Sequence, residues 1–177
     1  AEGDVGRPFN MPTAVAIAPD GEIFASDRYG GHRVHRFSPD GELTKSWGKE
    51  GDGPGAFVNL HSVGVDSRGR VYICDHENDR IQIFDREGSF LEQWTDVTRP
   101  SDVCMVGDLI YVLDRIDGAS RVTVYSLDGD IVARTAQHEF GSPAQLKTGH
   151  GICVDREGSI YVAEVIAPKQ MTKLQRV

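Results

Sequence analysis

The sequence predicts an all-β fold, a β-propeller with about four four-stranded blades, from three observations: an internal repeat, a glycine turn at matching places in each copy, and apolar alternation of period two. The repeat shows when Ala14 to Trp47, "AVAIAPDGEIFASDRYGGHRVHRFSPDGELTKSW", is set against Ser62 to Trp94, "SVGVDSRGRVYICDHENDRIQIFDREGSFLEQW". Each reads run, glycine turn, run, Asp, loop, Arg-headed run, glycine turn, run, which is a four-strand meander. A third copy runs from Asp102 through "LIYVLD", "RVTVY" and "SLDGDIVAR". A fourth starts with "ICVDREGSIYVAE" and ends on "MTKLQRV", one strand short. Meanders that recur every 38 to 51 residues, counted from Gly21, Gly69, Gly107 and Gly158, are the signature of propeller blades. The blades fall at about 13–48, 61–95, 100–135 and 150–177, in a single domain over 1–177.

The elements follow from local chemistry. Asp20-Gly21, Asp40-Gly41 and Asp128-Gly129, with Glu87-Gly88 and Glu157-Gly158 in equivalent places, supply the positive φ that tight hairpins need. Val71-Ile73, Ile81-Ile83 and Val122-Val124 alternate with period two, as half-buried strands do. No stretch has helical periodicity. An Asp closes the second strand and an Arg opens the third in three copies, as Asp27 with Arg33, Asp75 with Arg80 and Asp114 with Arg121. These are expected to pair across each hairpin, an architectural role. Ala16, Gly64, Cys104 and Cys153 share one register of the innermost strand, where blades crowd the axis. The three cysteines, Cys74 included, are thus expected to be buried free thiols.

Composition narrows the function. With 177 residues, 39% hydrophobic and 26% charged, the chain can bury a core. Its net charge of −8 opposes the counterion release on which nucleic-acid binding depends. No apolar run reaches the roughly 18 residues of a membrane span. Ala1-Glu2-Gly3-Asp4 is neither a basic n-region nor an apolar h-region. Without an initiating Met, the chain is read as processed or as a fragment, and its compartment stays open.

Two histidines stand where a loop gives way to a first strand, His61 in "VNLHSVGV" and His150 in "GHGICV". The start of a blade's first strand and the end of its second emerge on one face. His61 and His150, together with Tyr29 and His76, which follow second strands, are therefore expected in one mouth of the central channel. The first and third blades carry Thr13 and Ser101 at the histidine register. In a six-bladed ring, alternate blades lie 120° apart, so a third histidine two blades before His61 would complete the three-ligand set of a catalytic zinc site.

The pattern "DHENDRIQIF" at 75–84 and the connector "GPGAFVNLHSV" at 53–63 resemble NHL-repeat propellers. Within these, "SDRYGGHRVHRFSPDG" at 26–41, "LHSVGVDSRGRVYICDHENDRIQIF" and "GHGICVDREGSIYVAE" resemble the peptidyl-α-hydroxyglycine α-amidating lyase family, from about Arg7 to the end. That resemblance implies a six-bladed ring and a zinc-dependent carbon–nitrogen lyase that cleaves a peptidyl-α-hydroxyglycine to peptide amide and glyoxylate. His61 and His150 would be two of the zinc ligands. Tyr29 would be the general base that takes the hydroxyl proton, and His76, where the family carries an arginine, would bind substrate. Thr148 stands where the family has a methionine, and Gly151 replaces an aspartate that helps hold a structural calcium, which speaks against calcium. The family's first zinc histidine and its other catalytic arginine belong to blades upstream of residue 1, so the function is expected to be incomplete in this chain. The alternative is a non-catalytic NHL propeller that binds a peptide or protein partner across its mouth, with association through open propeller edges.

Overall fold

A computed structural model of the chain describes residues 8–28, 31–135, 146–165 and 170–174. Fifteen strands form four antiparallel meanders arranged as blades. Blade 1 contains β1 (Pro12–Ile17), β2 (Ile23–Asp27), β3 (Arg33–Phe37) and β4 (Leu43–Trp47). Blade 2 contains β5 (Leu60–Val65), β6 (Val71–Asp75), β7 (Arg80–Phe84) and β8 (Phe90–Trp94). Blade 3 contains β9 (Asp102–Val106), β10 (Leu109–Ile116), β11 (Ala119–Ser126) and β12 (Ile131–Arg134). Blade 4 has three strands among the described residues, β13 (Gly149–Val154), β14 (Ile160–Glu164) and β15 (Met171–Leu174). The hairpin glycines 21, 41, 88, 129 and 158 take φ between 74° and 92°, as the turn chemistry requires. Among the described residues the helical content is a single 3-10 turn at His76–Asn78.

The first strands β1, β5, β9 and β13 run side by side, and the core lies between blades rather than within them. Phe24 and Val34 of blade 1 pack on Val63, Ile73 and Phe84 of blade 2. Tyr72, Ile81 and Ile83 pack on Val103 and Ile110 of blade 3. Leu113 and Val122 pack on Ile152 and Val162 of blade 4. Inner strands approach so closely that a Cβ on Gly64 would lie 2.6 Å from the Met105 side chain. The two faces at the ends of the row are open. Val15 is 63% exposed, whereas Val63, at the same register of the next blade, is 3% exposed.

Two expectations need correction. Cys74 is buried and Cys104 half-buried, but Cys153 is exposed. Its register faces the next blade around the ring, and no described strand covers that face. The Asp–Arg pairs also hold only in part. Arg80 Nε donates to Asp75 at 2.9 Å and Arg121 Nε donates to Asp114 at 2.9 Å. Asp27 lies opposite Arg33 in the ladder, yet its carboxylate accepts the Asn10 N–H at 2.7 Å and sits 3.7 Å from His35 Nε2. His35 occupies the place from which Gln82 approaches Asp75 in blade 2 (3.3 Å).

Candidate functional site

The site forms where the first strands begin. β1, β5 and β13 each carry a β-bulge, and the extra residue is Thr13, His61 and His150 respectively. Ser101 holds the same place in blade 3, its N–H donating to the Leu113 carbonyl at 2.7 Å. A bulge leaves one residue out of the ladder and re-aims its side chain. Here the three bulge residues and Ser101 line one cavity of about 200 Å³, with Ala14, Arg28, Ser62 and Asp102.

His61 and His150 meet in this mouth with ring centroids 4.5 Å apart, edge to face. His76 stacks on the other side of His61 at 5.0 Å. His61 Nδ1 lies 2.6 Å from the Ser101 carbonyl. A carbonyl only accepts, so Nδ1 carries the proton and Nε2 keeps its lone pair. This is the tautomer that metal-ligating histidines adopt. His76 Nδ1 donates likewise to the Pro100 carbonyl at 3.1 Å. Burial, with help from His150, His76 and Arg28, pulls the His61 pKa down to about 4. Burial also lowers the pKa of His76. A lowered pKa leaves His76, expected from the sequence to bind substrate, with less positive charge at neutral pH than a free imidazole carries. Arg28, which follows the last strand residue of β2 as His76 follows that of β6, brings a permanent charge to the cavity.

The donor set fits zinc in part. Two imidazoles that share a tetrahedral zinc at about 2.0 Å place their ring centroids about 5 Å apart, close to the separation of His61 and His150. Among the described residues no group of three or more His, Cys, Asp or Glu side chains is arranged to hold a metal ion. The pair thus offers two of the usual three ligands. Tyr29 lies outside the described residues.

The sequence reading missed Arg28, Ser62 and Asp102. Asp102 heads β9, and its Oδ1 accepts from Ser62 Oγ at 2.6 Å and from the Val103 N–H at 2.9 Å. Its Oδ2 accepts the Ile152 N–H at 2.8 Å, and burial pushes its carboxyl pKa up. The signal was present: once the repeats are aligned, Asp102 falls at the register of Ala14, Ser62 and Gly151, and it is the acid among small residues.

Comparisons with known proteins support the propeller fold. A family described as 6-bladed beta-propeller (DUF5128) matches residues 12–97, which are blades 1 and 2. NHL repeat-containing protein 3 of Homo sapiens is 33% identical over 175 residues, covering 93% of this chain and 50% of that protein. The chain is an NHL-repeat β-propeller. It is also 36% identical to peptidyl-glycine alpha-amidating monooxygenase B of Xenopus laevis over 184 residues, covering 93% of this chain and 20% of that protein. A probable peptidyl-alpha-hydroxyglycine alpha-amidating lyase of Caenorhabditis elegans is 26% identical over 168 residues, covering 89% of this chain and 47% of that protein. The NHL chain thus spans about half the length, or less, of these relatives. Among solved structures, a streptogramin B lyase superposes with a TM-score of 0.64 at 14% identity, over 94% of this chain and 55% of that one. A chain of a nidogen–laminin complex superposes at 0.66 with 15% identity, over 86% of this chain and 56% of that one. At such identities these two matches speak to the fold alone.

Proposed function

We propose that the channel mouth of this NHL propeller is the site of a zinc-dependent lyase that cleaves peptidyl-α-hydroxyglycine to peptide amide and glyoxylate. The observation that carries the reading is the pair of bulge-borne imidazoles, with His61 fixed by the Ser101 carbonyl in the tautomer that leaves Nε2 to ligate. Homology to amidating-lyase proteins over most of the chain supports the choice of reaction. When bound, zinc would supply Lewis-acid polarisation of a substrate oxygen. Tyr29 takes the substrate hydroxyl proton as general base. The O–H electron pair then becomes the carbonyl of glyoxylate as the C–N bond breaks, and Tyr29 returns the proton it took to the leaving amide nitrogen, which departs as the neutral peptide amide. Arg28 holds the substrate carboxylate, because its guanidinium stays charged where the lowered pKa of the half-buried His76 favours the neutral ring.

The second reading is a propeller that only binds a peptide or protein across its mouth. It draws on His76 and Gly151, which depart from the lyase pattern. Glyoxylate release from an α-hydroxyglycine peptide, measured with the full-length protein and added zinc, separates the two. Zinc-dependent turnover that is lost in His61→Ala and His150→Ala is the expected result. Zinc bound at the mouth without turnover would move the assignment to the binding module.

A further inference from the structure

We infer that Asp102 is a positioning residue that sets the separation of His61 and His150. The inference deepens the proposed function and rests on it only for what the histidines bind. The two imidazoles belong to blades 2 and 4, whose inner strands are separated by β9 of blade 3. Neither strand's own ladder can fix the distance between them. Asp102 heads the intervening strand and reaches both ways. Its Oδ1 takes the hydroxyl of Ser62, the residue after His61, and its Oδ2 takes the N–H of Ile152, two residues after His150. The preceding residue, Ser101, supplies the carbonyl that orients His61. The head of β9 is therefore a clamp on both histidine-bearing segments.

A carboxylate is required because every partner is a donor: Ser62 Oγ–H and Val103 N–H on one oxygen, Ile152 N–H on the other. An asparagine must turn its NH₂ either toward the Ile152 N–H, which breaks the tie to blade 4, or toward the Val103 N–H, where two donors meet and push the side chain away even though the Ser62 hydroxyl beside it could accept. The first orientation releases blade 4 and the second loosens the hold on blade 2, and the imidazole on that blade would lose its fixed place. Interactions that position functional groups tolerate little of this; about 1 Å of looseness separates a working site from one that is merely present.

The test needs no metal. Ring-to-ring nuclear Overhauser contacts between His61 and His150 are measured in chelator-treated protein for wild type, Asp102→Asn, Ser62→Ala and Tyr72→Phe. Tyr72→Phe removes a hydrogen bond to Asp66 in the body of blade 2 and serves as the control for general destabilisation. Wild type should show the contacts. Asp102→Asn should weaken them roughly threefold or more, the consequence of a displacement of about 1 Å, and Tyr72→Phe should leave them intact. Ser62→Ala keeps the tie to blade 4 and loses the one to blade 2, so an intermediate loss is expected, and this variant decides the matter if Asp102→Asn does not fold. Contacts unchanged in Ser62→Ala or in a folded Asp102→Asn would overturn the inference. If wild-type protein shows the contacts but no zinc affinity, the metal reading fails while the positioning role stands.

Discussion

Asp75→Ala is expected to lower the unfolding free energy by about 3–5 kcal/mol, the cost of leaving a buried charge without its partner. Asp75 is fully buried and serves three structural layers at once. Its Oδ2 accepts from Arg80 Nε at 2.9 Å and from Asn78 Nδ2 at 2.8 Å. Its Oδ1 accepts the Val58 N–H at 3.1 Å and the Asn59 N–H at 3.4 Å. Arg80 is also buried and also donates to the Ala56 carbonyl at 2.9 Å. Removing the carboxylate strands the guanidinium and frees the connector that leads into His61. For a domain that is stable by about 5–15 kcal/mol, the loss is a large fraction of the total. Arg68→Ala, which breaks the exposed Arg68–Asp128 pair, should leave stability nearly unchanged, because solvent screens an exposed ion pair. Urea unfolding of both variants checks the contrast. An Asp75→Ala cost as small as that of Arg68→Ala would refute the role given to the buried pair.

The second large effect is on the pH dependence of stability. His61 has a folded pKa of about 4 against 6.5 when free. As pH falls through 6.5 the unfolded chain takes up a proton that the native state refuses until about pH 4. Stability should therefore be level above pH 7 and fall between about 6.5 and 4, which is the sign required when the unfolded state binds more protons. At about 1.4 kcal/mol per pKa unit, His61 alone accounts for on the order of 3 kcal/mol across that window. His35 and His76, both lowered chiefly by burial, add to the same slope. Unfolding free energies measured by urea at pH 7.5 and 5.5, with chelator present, should differ markedly in wild type and less in His61→Gln. An equal slope in the two proteins would show that His61 is not held neutral by the fold.

Much of the architecture was legible because it rests on local chemistry. The Asp-Gly and Glu-Gly pairs force the hairpin turns, and period-two runs such as Val71-Ile73 and Ile81-Ile83 allow only strands. Strand polarity then brings His61, His76 and His150 to one mouth. What was not legible depends on contacts distant in sequence or on ladder irregularities. The bulges at Thr13, His61 and His150 are set by register against the second strand, which no residue type announces. Asp102 looks like an ordinary strand head, and its partners Ser62 and Ile152 lie 40 and 50 residues away. Asp27 was misread because the repeat suggested Arg33, whereas the carboxylate takes the Asn10 N–H and lies beside His35. Cys153 was misread because its burial depends on a further blade, not on its own strand.

The central claim is that His61 and His150 form a metal-binding pair at the channel mouth, and calorimetric titration of zinc into chelator-stripped protein tests it most directly. Two imidazoles are only part of the usual three-ligand set, so this 177-residue chain should show one weak but saturable site. In the His61→Ala/His150→Ala double variant its affinity should drop by roughly 100-fold or more. An absence of saturable binding in the wild type, or an affinity unchanged in the double variant, would contradict the account.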